Sequence, residues 1–285
     1  MIKLYDKTNH EIIWEANNFP DNQVQFKILR DNAKKVKKII ASIPDSTTLD
    51  LFLQCVNALK NQENLEKVQI NYFYGARSDK DEAGDWIVTN VADYFEKMII
   101  AACDTTTIIT NNTLKKIIHP FITVLAPHCK LKELNGDFNL RWSNFNENFI
   151  KNNYDLVVFP DESALSRFSY LDVNYVVCEK HRDQVTGNII SHKIPELPEN
   201  FKKIIIIDDL ADGGRSFINI AETIPDNVLV DLFIFHGVFS NNALPRLLQK
   251  FNDIIVTNSL PNADIQKSQL SLEDQNRVMM LDVWN

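Results

Sequence analysis

The residues most able to do chemistry lie between positions 204 and 216, where an apolar stretch gives way to acids and glycines. Four isoleucines lead into Asp208 and Asp209, and an Asp-Gly-Gly turn at 212–214 comes directly before a predicted helix. Adjacent carboxylates can accept hydrogen bonds from sugar hydroxyls or approach a metal ion, whereas a helix cap needs only one acid. A turn that begins a helix presents free backbone N–H groups, which suit a phosphate. The segment therefore predicts a site for a phosphorylated sugar.

Hydrophobic periodicity predicts the elements that must position this segment. The predicted strands lie at 36–41, 68–73, 106–110, 156–159, 173–178, 204–207, 229–235 and 254–257. The predicted helices lie at 49–59, 87–103, 217–224 and 243–251. Strands that alternate with helices form parallel sheets covered by helices, and ligands of such sheets bind beyond the carboxyl ends of the strands. The weakly periodic stretch from 131 to 153 is predicted to join two α/β halves.

Composition excludes several classes of protein. The chain has 285 residues, 45% hydrophobic and 24% charged, which is typical of one large globular domain or two smaller ones. Its net charge of −8 argues against nucleic acid or an anionic membrane as a partner. No apolar run approaches the ~20 residues that span a bilayer, and the N-terminal stretch lacks the apolar region of a signal peptide. Four singly placed cysteines are typical of a reducing compartment, so we expect a cytoplasmic protein.

Glycine is scarce and asparagine is abundant, with 7 and 31 residues respectively. Few positions can therefore take a positive φ without strain. Asparagine tolerates this conformation better than most other residues do, so we expect it to form several of the tight turns. Each remaining glycine is expected to mark a place where a ligand or a turn requires it.

The segment at 204–216 resembles the phosphoribosyl diphosphate (PRPP) motif of type I phosphoribosyltransferases and of ribose-phosphate diphosphokinases. Further segments resemble the diphosphokinases alone. They read FPDNQVQFKI at 19–28, NYFYGARSD at 71–79, VFPDES at 158–163, CEKHRD at 178–183, HGVFS at 236–240 and TNSLP at 257–261. Because their order and rough spacing agree with that family over most of the chain, it is identified as a divergent member of the ribose-phosphate diphosphokinase (PRPP synthetase) family.

This resemblance implies an α/β fold of two phosphoribosyltransferase-like (type I) domains, each a mainly parallel sheet flanked by helices. Residues 1–135 would form the first domain, with the ATP-side segments, and residues 136–285 the second, with the PRPP motif and the catalytic loop. The implied enzyme uses Mg²⁺ and transfers the β,γ-diphosphate of ATP to the 1-hydroxyl of a ribose 5-phosphate moiety, releasing AMP. Family members build their ATP site across a dimer and often stack dimers into hexamers, so a homodimer or hexamer is expected.

The resemblance also implies roles for individual residues. Lys180 and Arg182 would contact the transferred phosphates, and because they are two residues apart they would share one face of an extended loop. Asp161 would hold the metal ion or its water shell. The ATP-binding residues would be Phe19, Asp21, Arg77 and Asp79. The acceptor's ribose hydroxyls and 5-phosphate would be held by Asp208, Asp209, Asp212, Gly213, Gly214, Arg215 and Ser216.

The chain departs from the family pattern at several positions. The family's DLH triplet is replaced by Asn-Asn-Thr at 111–113, which leaves His119 and His128 open as substitutes for its histidine. Glu-Ser stands at 162–163 where the family has two glycines. The common phosphate loop DTAGT reads DGGRS, so Arg215 replaces a small residue and could contact a second phosphate. The acceptor is therefore expected to be ribose 5-phosphate or ADP-ribose, the latter as in phage-type ADP-ribose diphosphokinases.

The sequence is also compatible with two other functions. A phosphoribosyltransferase that consumes PRPP would share the motif at 204–216, but it would not need the segments at 178–183 and 236–240. A non-catalytic member of the diphosphokinase family that binds an active partner is suggested by the missing DLH histidine. The retained Lys180 and Arg182 argue against that second alternative.

Overall fold

The computed structural model describes residues 1–59, 65, 67–73, 122–124, 147–169, 171–182, 189–193, 195 and 201–284. The chain divides into two units, one of Met1–Phe138 with Trp284–Asn285 and one of Asn139–Val283. The predicted boundary between residues 135 and 136 lies outside the described residues and stays a prediction. The predicted helix at 87–103 and the predicted strand at 106–110 lie outside them as well.

The first unit is built around a mixed β-sheet. Its described strands are β1 (Ile2–Tyr5), β2 (Glu11–Ile12), β3 (Glu15–Asn18), β4 (Val24–Lys27), β5 (Lys38–Ile43), β6 (Lys67–Phe73) and β7 (Ile122–Val124). Its described helices are α1 (Arg30–Ala33) and α2 (Ser46–Leu59). The sheet has the order β2-β1-β5-β6-β7, in which β5, β6 and β7 run parallel, β1 is antiparallel to β5 and β2 is antiparallel to β1. The strands β3 and β4 form a separate antiparallel hairpin.

Helix α2 forms where apolar residues recur at helical spacing, as the sequence predicts. Its buried residues are Leu49, Phe52, Cys55, Val56 and Leu59. They share one core with Ile39, Ala41 and Ile43 of the neighbouring strand β5. The carboxylate of Asp45 accepts a 2.7 Å hydrogen bond from the N–H of Thr48, which satisfies a donor of the first turn. The predicted strand–helix pair of this unit is thus confirmed.

The first 27 residues contain four strands that hydrophobic periodicity did not predict. One has 2 residues and the others have 4, which is too short to display a clear period. Strands β3 and β4 are also largely exposed, so they lack an alternating apolar face. The buried strand β1 lies antiparallel beside β5 and makes this sheet mixed rather than purely parallel.

The second unit carries a parallel sheet flanked by helices. Its described strands are β8 (Leu156–Phe159), β9 (Tyr175–Val177), β10 (Glu179–Arg182), β11 (Ile189–Lys193), β12 (Lys203–Ala211), β13 (Leu229–Gly237), β14 (Ile254–Thr257) and β15 (Val278–Leu281). Its described helices are α3 (Glu147–Asn153), α4 (Glu162–Phe168), α5 (Arg215–Ala221), α6 (Ala243–Leu247), α7 (Pro261–Ser268) and α8 (Leu272–Asn276). Six strands pair in the order β15-β14-β13-β12-β8-β9, all parallel, which confirms the predicted α/β class.

Both faces of this sheet are covered, because successive side chains of a strand point to opposite sides. On one face, Ile204 and Ile206 of β12 share a core with Phe217 and Ile220 of α5. On the other face, Phe168 of α4 lies with its ring centroid 6.4 Å from that of Phe159 and 6.2 Å from that of Phe233. By the same alternation, Asp208 continues the first face of β12 and Asp209 continues the second.

Several predicted bounds in this unit are corrected by the structure. The strand predicted at 204–207 continues to Ala211, so both acids lie within its paired length. The join predicted from 131 to 153 ends in helix α3. The strand at 254–257 is not the last one, because β15 pairs beside it after two short helices. Within the described residues of both units, no helix has the length and apolar character that a membrane crossing needs.

Asparagine forms tight turns, as its abundance predicts. Five non-glycine residues in the described part of the chain have a positive φ, and four of them are Asn9, Asn22, Asn241 and Asn242, with φ between 53° and 66°. The fifth is Phe239, with φ 47°, a strained conformation for a bulky side chain. Three of the five therefore lie in one short segment after β13.

A buried carboxylate ties the N-terminal ends of the strands together. Asp231 of β13 is 1% exposed and accepts a 2.9 Å hydrogen bond from the hydroxyl of Tyr154. The ammonium of Lys203, at the start of β12, lies 2.8 Å from its Oδ2 atom. Its Oδ1 atom accepts hydrogen bonds from the N–H of Asp253 at 3.1 Å and from the side chain of Asn252 at 3.2 Å. A charge this enclosed is tolerated only when it is fully paired.

We expect Asp231→Ala to lower the free energy of unfolding of the second unit by about 3 kcal/mol, because it leaves the Lys203 charge without its partner. The matched variant Tyr154→Phe, which removes one hydrogen bond, should cost about 1 kcal/mol. Chemical denaturation of both variants measures the difference. Equal losses for the two variants would contradict the central role of the carboxylate.

Candidate functional site

The two acids at the end of β12 have different surroundings. Asp209 is buried, and its Oδ2 atom lies 3.2 Å from Nε of Arg167 in α4. The guanidinium of Arg167 also donates a 3.0 Å hydrogen bond from Nη1 to the hydroxyl of Ser163, one turn earlier on the same helix. Asp208 is half-buried, and its Oδ1 atom accepts a 2.8 Å hydrogen bond from the N–H of Asp209. A fixed cation therefore compensates Asp209.

Burial raises the pKa of Asp208 well above its ordinary value. The negative charge of Asp209 and a side-chain hydrogen bond with it add to the rise, and the charge of Asp161 contributes least. The fold thus disfavours the charged form of Asp208, and a hydroxyl or a cation bound at this strand end would favour it.

The turn after β12 has the backbone geometry that the sequence predicts. Gly214 takes φ +76° and precedes α5, whose N-terminus receives no side-chain cap. The first N–H groups of a helix have no carbonyl partner within the helix, so they are available to a ligand. A Cβ atom at Gly213 would meet nothing within 4 Å, so this side of the turn is open. The side chain of Arg215 is exposed and that of Ser216 is half-buried.

The segment that follows β13 holds this turn in place. The N–H groups of Val238 and Phe239 both donate to the carbonyl of Ala211, at 2.9 and 3.0 Å. The carbonyl of Gly213 accepts a 3.3 Å hydrogen bond from Nη2 of Arg246 in α6. His236, near the end of β13, is buried, and its Nδ1 atom lies 2.8 Å from the hydroxyl of Ser259, which indicates a structural role.

Asp161 lies where β8 ends, on the strand next to β12. Its Oδ1 atom accepts a 3.0 Å hydrogen bond from the N–H of Ala164, so it caps α4. Burial and, to a smaller extent, the charge of Asp161 raise the pKa of Cys178 to about 12. In the described part of the chain, no three carboxylate, histidine or cysteine side chains are arranged to enclose a metal ion.

The predicted catalytic loop begins as a β-ribbon rather than as an extended loop. The backbones of Lys180 and Arg182 lie in β10, which pairs antiparallel with β11. Lys180 is in register with His192 and Arg182 with Ile189, and the register shifts between them. That their side chains share one face stays a prediction.

The predicted ATP-binding residues belong to the first unit. Phe19 comes directly after β3 in the loop of the β3–β4 hairpin and is 43% exposed. Its N–H donates a 2.8 Å hydrogen bond to the carbonyl of Gln23, and Asp21 accepts a 3.1 Å hydrogen bond from the N–H of that residue. Arg77 and Asp79 lie outside the described residues, and their role stays a prediction.

Sequence reasoning thus identifies the acids and the turn of the second unit, but it misses two arginines that contact them. Arg167 reaches Asp209 from α4, and Arg246 reaches the turn from α6. The sequence does contain one signal for the first, because Ser163 and Arg167 are four residues apart in a helix that follows a strand end. It contains none for the second, since that contact spans 33 positions.

Comparison with known proteins places these features in context. No family model matches the chain. It is 28% identical over 125 residues to the ribose-phosphate pyrophosphokinase of Pyrococcus abyssi, covering 42% of each chain. It is 24% identical over 265 residues to that of Caldanaerobacter subterraneus, covering 89% of this chain and 79% of the relative. The chain spans about two fifths of the length of the Pyrococcus abyssi protein, and the same share of several other ribose-phosphate pyrophosphokinases that it matches.

A solved structure is similar over nearly the whole chain. The crystal structure of phosphoribosylpyrophosphate synthetase from Mycobacterium smegmatis superposes with a TM-score of 0.63 at 18% identity. The superposition covers 95% of this chain and 86% of that one. It confirms the predicted fold class.

We expect Gly214→Ala to lower the free energy of unfolding by roughly 1–3 kcal/mol, because alanine is strained at this positive φ. Its Cβ atom would also lie 3.0 Å from the side chain of Leu247. The neighbouring variant Gly213→Ala should change stability by less than about 0.5 kcal/mol, because its Cβ atom enters open space. Chemical denaturation compares the two, and equal destabilisation would contradict the described turn.

Asp208→Asn should raise the free energy of unfolding at pH 7 by roughly 0.5–2 kcal/mol. The fold favours the protonated form of Asp208, so this group's contribution to stability is complete below its ordinary pKa. That contribution is lost as the pH rises through the higher pKa of the folded state. The difference between variant and wild type should therefore shrink as the pH is lowered, in denaturation curves recorded across the acid range. A difference that grows on acidification would contradict the assignment.

Proposed function

We propose that the chain transfers the β,γ-diphosphate of ATP to the 1-hydroxyl of a ribose 5-phosphate moiety and releases AMP. The proposal starts from the family, since the chain is a divergent member of the ribose-phosphate pyrophosphokinase family. One observation carries this proposal. Two carboxylates lie near the end of β12, and the turn with the open Gly213 begins just after that strand, so acceptors for sugar hydroxyls and donors for a phosphate lie at one strand end. A sugar phosphate presents both groups at once.

The described residues would hold the acceptor at two points. The N–H groups at the start of α5 would bind its 5-phosphate over the open side of Gly213. The carboxylates of Asp208 and Asp209 would accept hydrogen bonds from its ribose hydroxyls. This arrangement would fix the 1-hydroxyl for attack, and positioning of this kind supplies much of the catalysis of phosphoryl transfer.

Mg²⁺ belongs to this proposal, and the residues present fit it. In phosphoryl transfer the ion neutralises charge on the transferred phosphates. Magnesium is usually held by one or two carboxylates together with substrate phosphates, rather than by a closed protein cage. Asp161 would hold the ion or its water shell at the end of β8.

The transferred diphosphate would be held by Lys180 and Arg182. A guanidinium can bind phosphate oxygens through two N–H groups, whereas an ammonium acts as a compact charge. Phe19 and Asp21, with Arg77 and Asp79, would bind ATP. The proposal includes a homodimer or hexamer, since family members build the ATP site across a dimer.

We propose ADP-ribose rather than ribose 5-phosphate as the acceptor, and the arginines beside the turn support this choice. Arg215 is exposed at the first position of α5, beside the open turn. The guanidinium of Arg246 lies at the carbonyl of Gly213 on the same turn. A terminal phosphate monoester is served by the backbone of the turn, whereas a diphosphate offers a second anionic group for a guanidinium to bind.

The function is tested by incubating the purified protein with ATP, Mg²⁺ and each acceptor separately, and measuring AMP by chromatography. We expect AMP release that depends on the acceptor. Lys180→Ala should lower kcat by about 10²-fold or more, because it removes the positive charge that would contact the transferred phosphates. The control Lys151→Ala, an exposed lysine paired with Glu147, should leave kcat unchanged. No AMP with either acceptor would contradict the proposal.

The acceptor is tested with Arg215→Ala. We expect kcat/KM to fall about tenfold for ADP-ribose, the loss of one charge-assisted hydrogen bond, and to change less than about twofold for ribose 5-phosphate. Steady-state kinetics with both acceptors measures the ratio. An equal fall for both acceptors would mean that Arg215 does not recognise a second phosphate.

A further inference from the structure

Arg167 is unusually enclosed for an arginine. Its side chain is 16% exposed, and that of its partner Asp209 is 11% exposed. The guanidinium contacts Asp209 through Nε and Ser163 through Nη1, so two of its edges are fixed by different groups. Arginine seldom lies this deep unless it is paired. The contact therefore has a defined geometry rather than that of a mobile surface pair.

Helix α4 is also anchored by contacts other than this ion pair. Phe168, the next residue, is buried and packs against Phe159 and Phe233. Asp161 caps the other end of the helix. Replacing a buried ion pair by apolar side chains is often neutral or stabilising, so the fold gains little from keeping charges at this position. A role in the site explains the pair better than a role in stability does.

The pair distinguishes two adjacent acids. Asp208 and Asp209 are neighbours in sequence, and the negative charges of their two carboxylates would repel each other. Arg167 forms an ion pair with Asp209, and it contacts that carboxylate through Oδ2. An oriented carboxylate accepts a hydrogen bond without first losing rotational freedom, so binding is tighter.

We propose that Arg167 is a positioning residue for the acceptor: it orients the carboxylate of Asp209 toward the ribose hydroxyls of the bound sugar phosphate. The inference deepens the proposed function and rests on it, since it names the group that sets the geometry of the acceptor's ribose. Arg167 acts through Asp209 and does not itself contact the reacting atoms.

The test measures dissociation constants for ribose 5-phosphate and for ADP-ribose by calorimetry without ATP, so that it does not require turnover. Arg167→Met, at similar side-chain length, removes the charge and the contacts with Asp209 and Ser163, and should weaken acceptor binding at least tenfold, about 1.4 kcal/mol. Arg167→Lys keeps the charge and should recover part of this loss. Lys151→Met, the same kind of change at an exposed pair, should leave binding unchanged.

A double-mutant cycle separates positioning from a general structural effect. Asp209→Asn alone should weaken binding about as much as Arg167→Met, and the double variant should be no worse than either by more than about threefold. Ser163→Ala, which removes only the second contact of the guanidinium, should weaken binding about threefold and reports on the same geometry if Arg167→Met fails to fold. Losses that multiply in the double variant would overturn the proposal.

The outcomes also separate this inference from the proposed function. If the wild type binds an acceptor, shows these variant effects and yet releases no AMP, the positioning role stands and the diphosphokinase proposal is wrong. If Arg167→Met binds both acceptors as tightly as the wild type, the positioning role is wrong whatever the turnover. If the wild type binds neither acceptor, both proposals are overturned.

Discussion

The burial of β12 on both faces is the constraint on which the rest of the second unit depends. Its isoleucines are completely enclosed, and its backbone pairs with β8 on one edge and with β13 on the other. Such a strand can carry polar side chains only where it leaves the core, which in this chain occurs at Asp208. The two acids therefore have a fixed position on the sheet, past the last residue that β12 pairs with β8 but still within its pairing with β13, and the turn follows.

The same constraint explains why the acids are costly to the fold. At the edge of the core they have lost much of their water, and they lie next to each other along the chain. Arg167 compensates Asp209, whereas burial and adjacent charge raise the pKa of Asp208. A site that binds a sugar hydroxyl or a cation gains from negative charge that the fold does not fully compensate. The loss of stability at these two acids is therefore expected if they bind a ligand, because functional sites often violate the local rules of folding.

The parts of this structure that the sequence predicts are those set by long local patterns. Helix α2 and the core of β12 follow from apolar spacing, and the turn at 212–214 follows from its glycines. The first four strands could not be predicted in this way, because each has at most four residues and its pairing partner is distant or exposed. The contacts of Arg167 and Arg246 could not be predicted either, since each joins elements that only the folded sheet brings together.

The glycines separate two physical needs that composition alone cannot distinguish. Where the backbone needs only a positive φ, this chain uses asparagine, as at Asn241 and Asn242. Gly214 combines a positive φ with the close side chain of Leu247, and at Gly237 a Cβ atom would overlap the ring of Phe239, so a larger residue is disfavoured at both positions. Gly213 has neither reason: its φ is not positive, and nothing lies within 4 Å of where its Cβ atom would be. The chain has only 7 glycines, so a glycine that the fold does not require is evidence that a ligand approaches the backbone there. That position is the open side of the turn, where the proposed phosphate would bind.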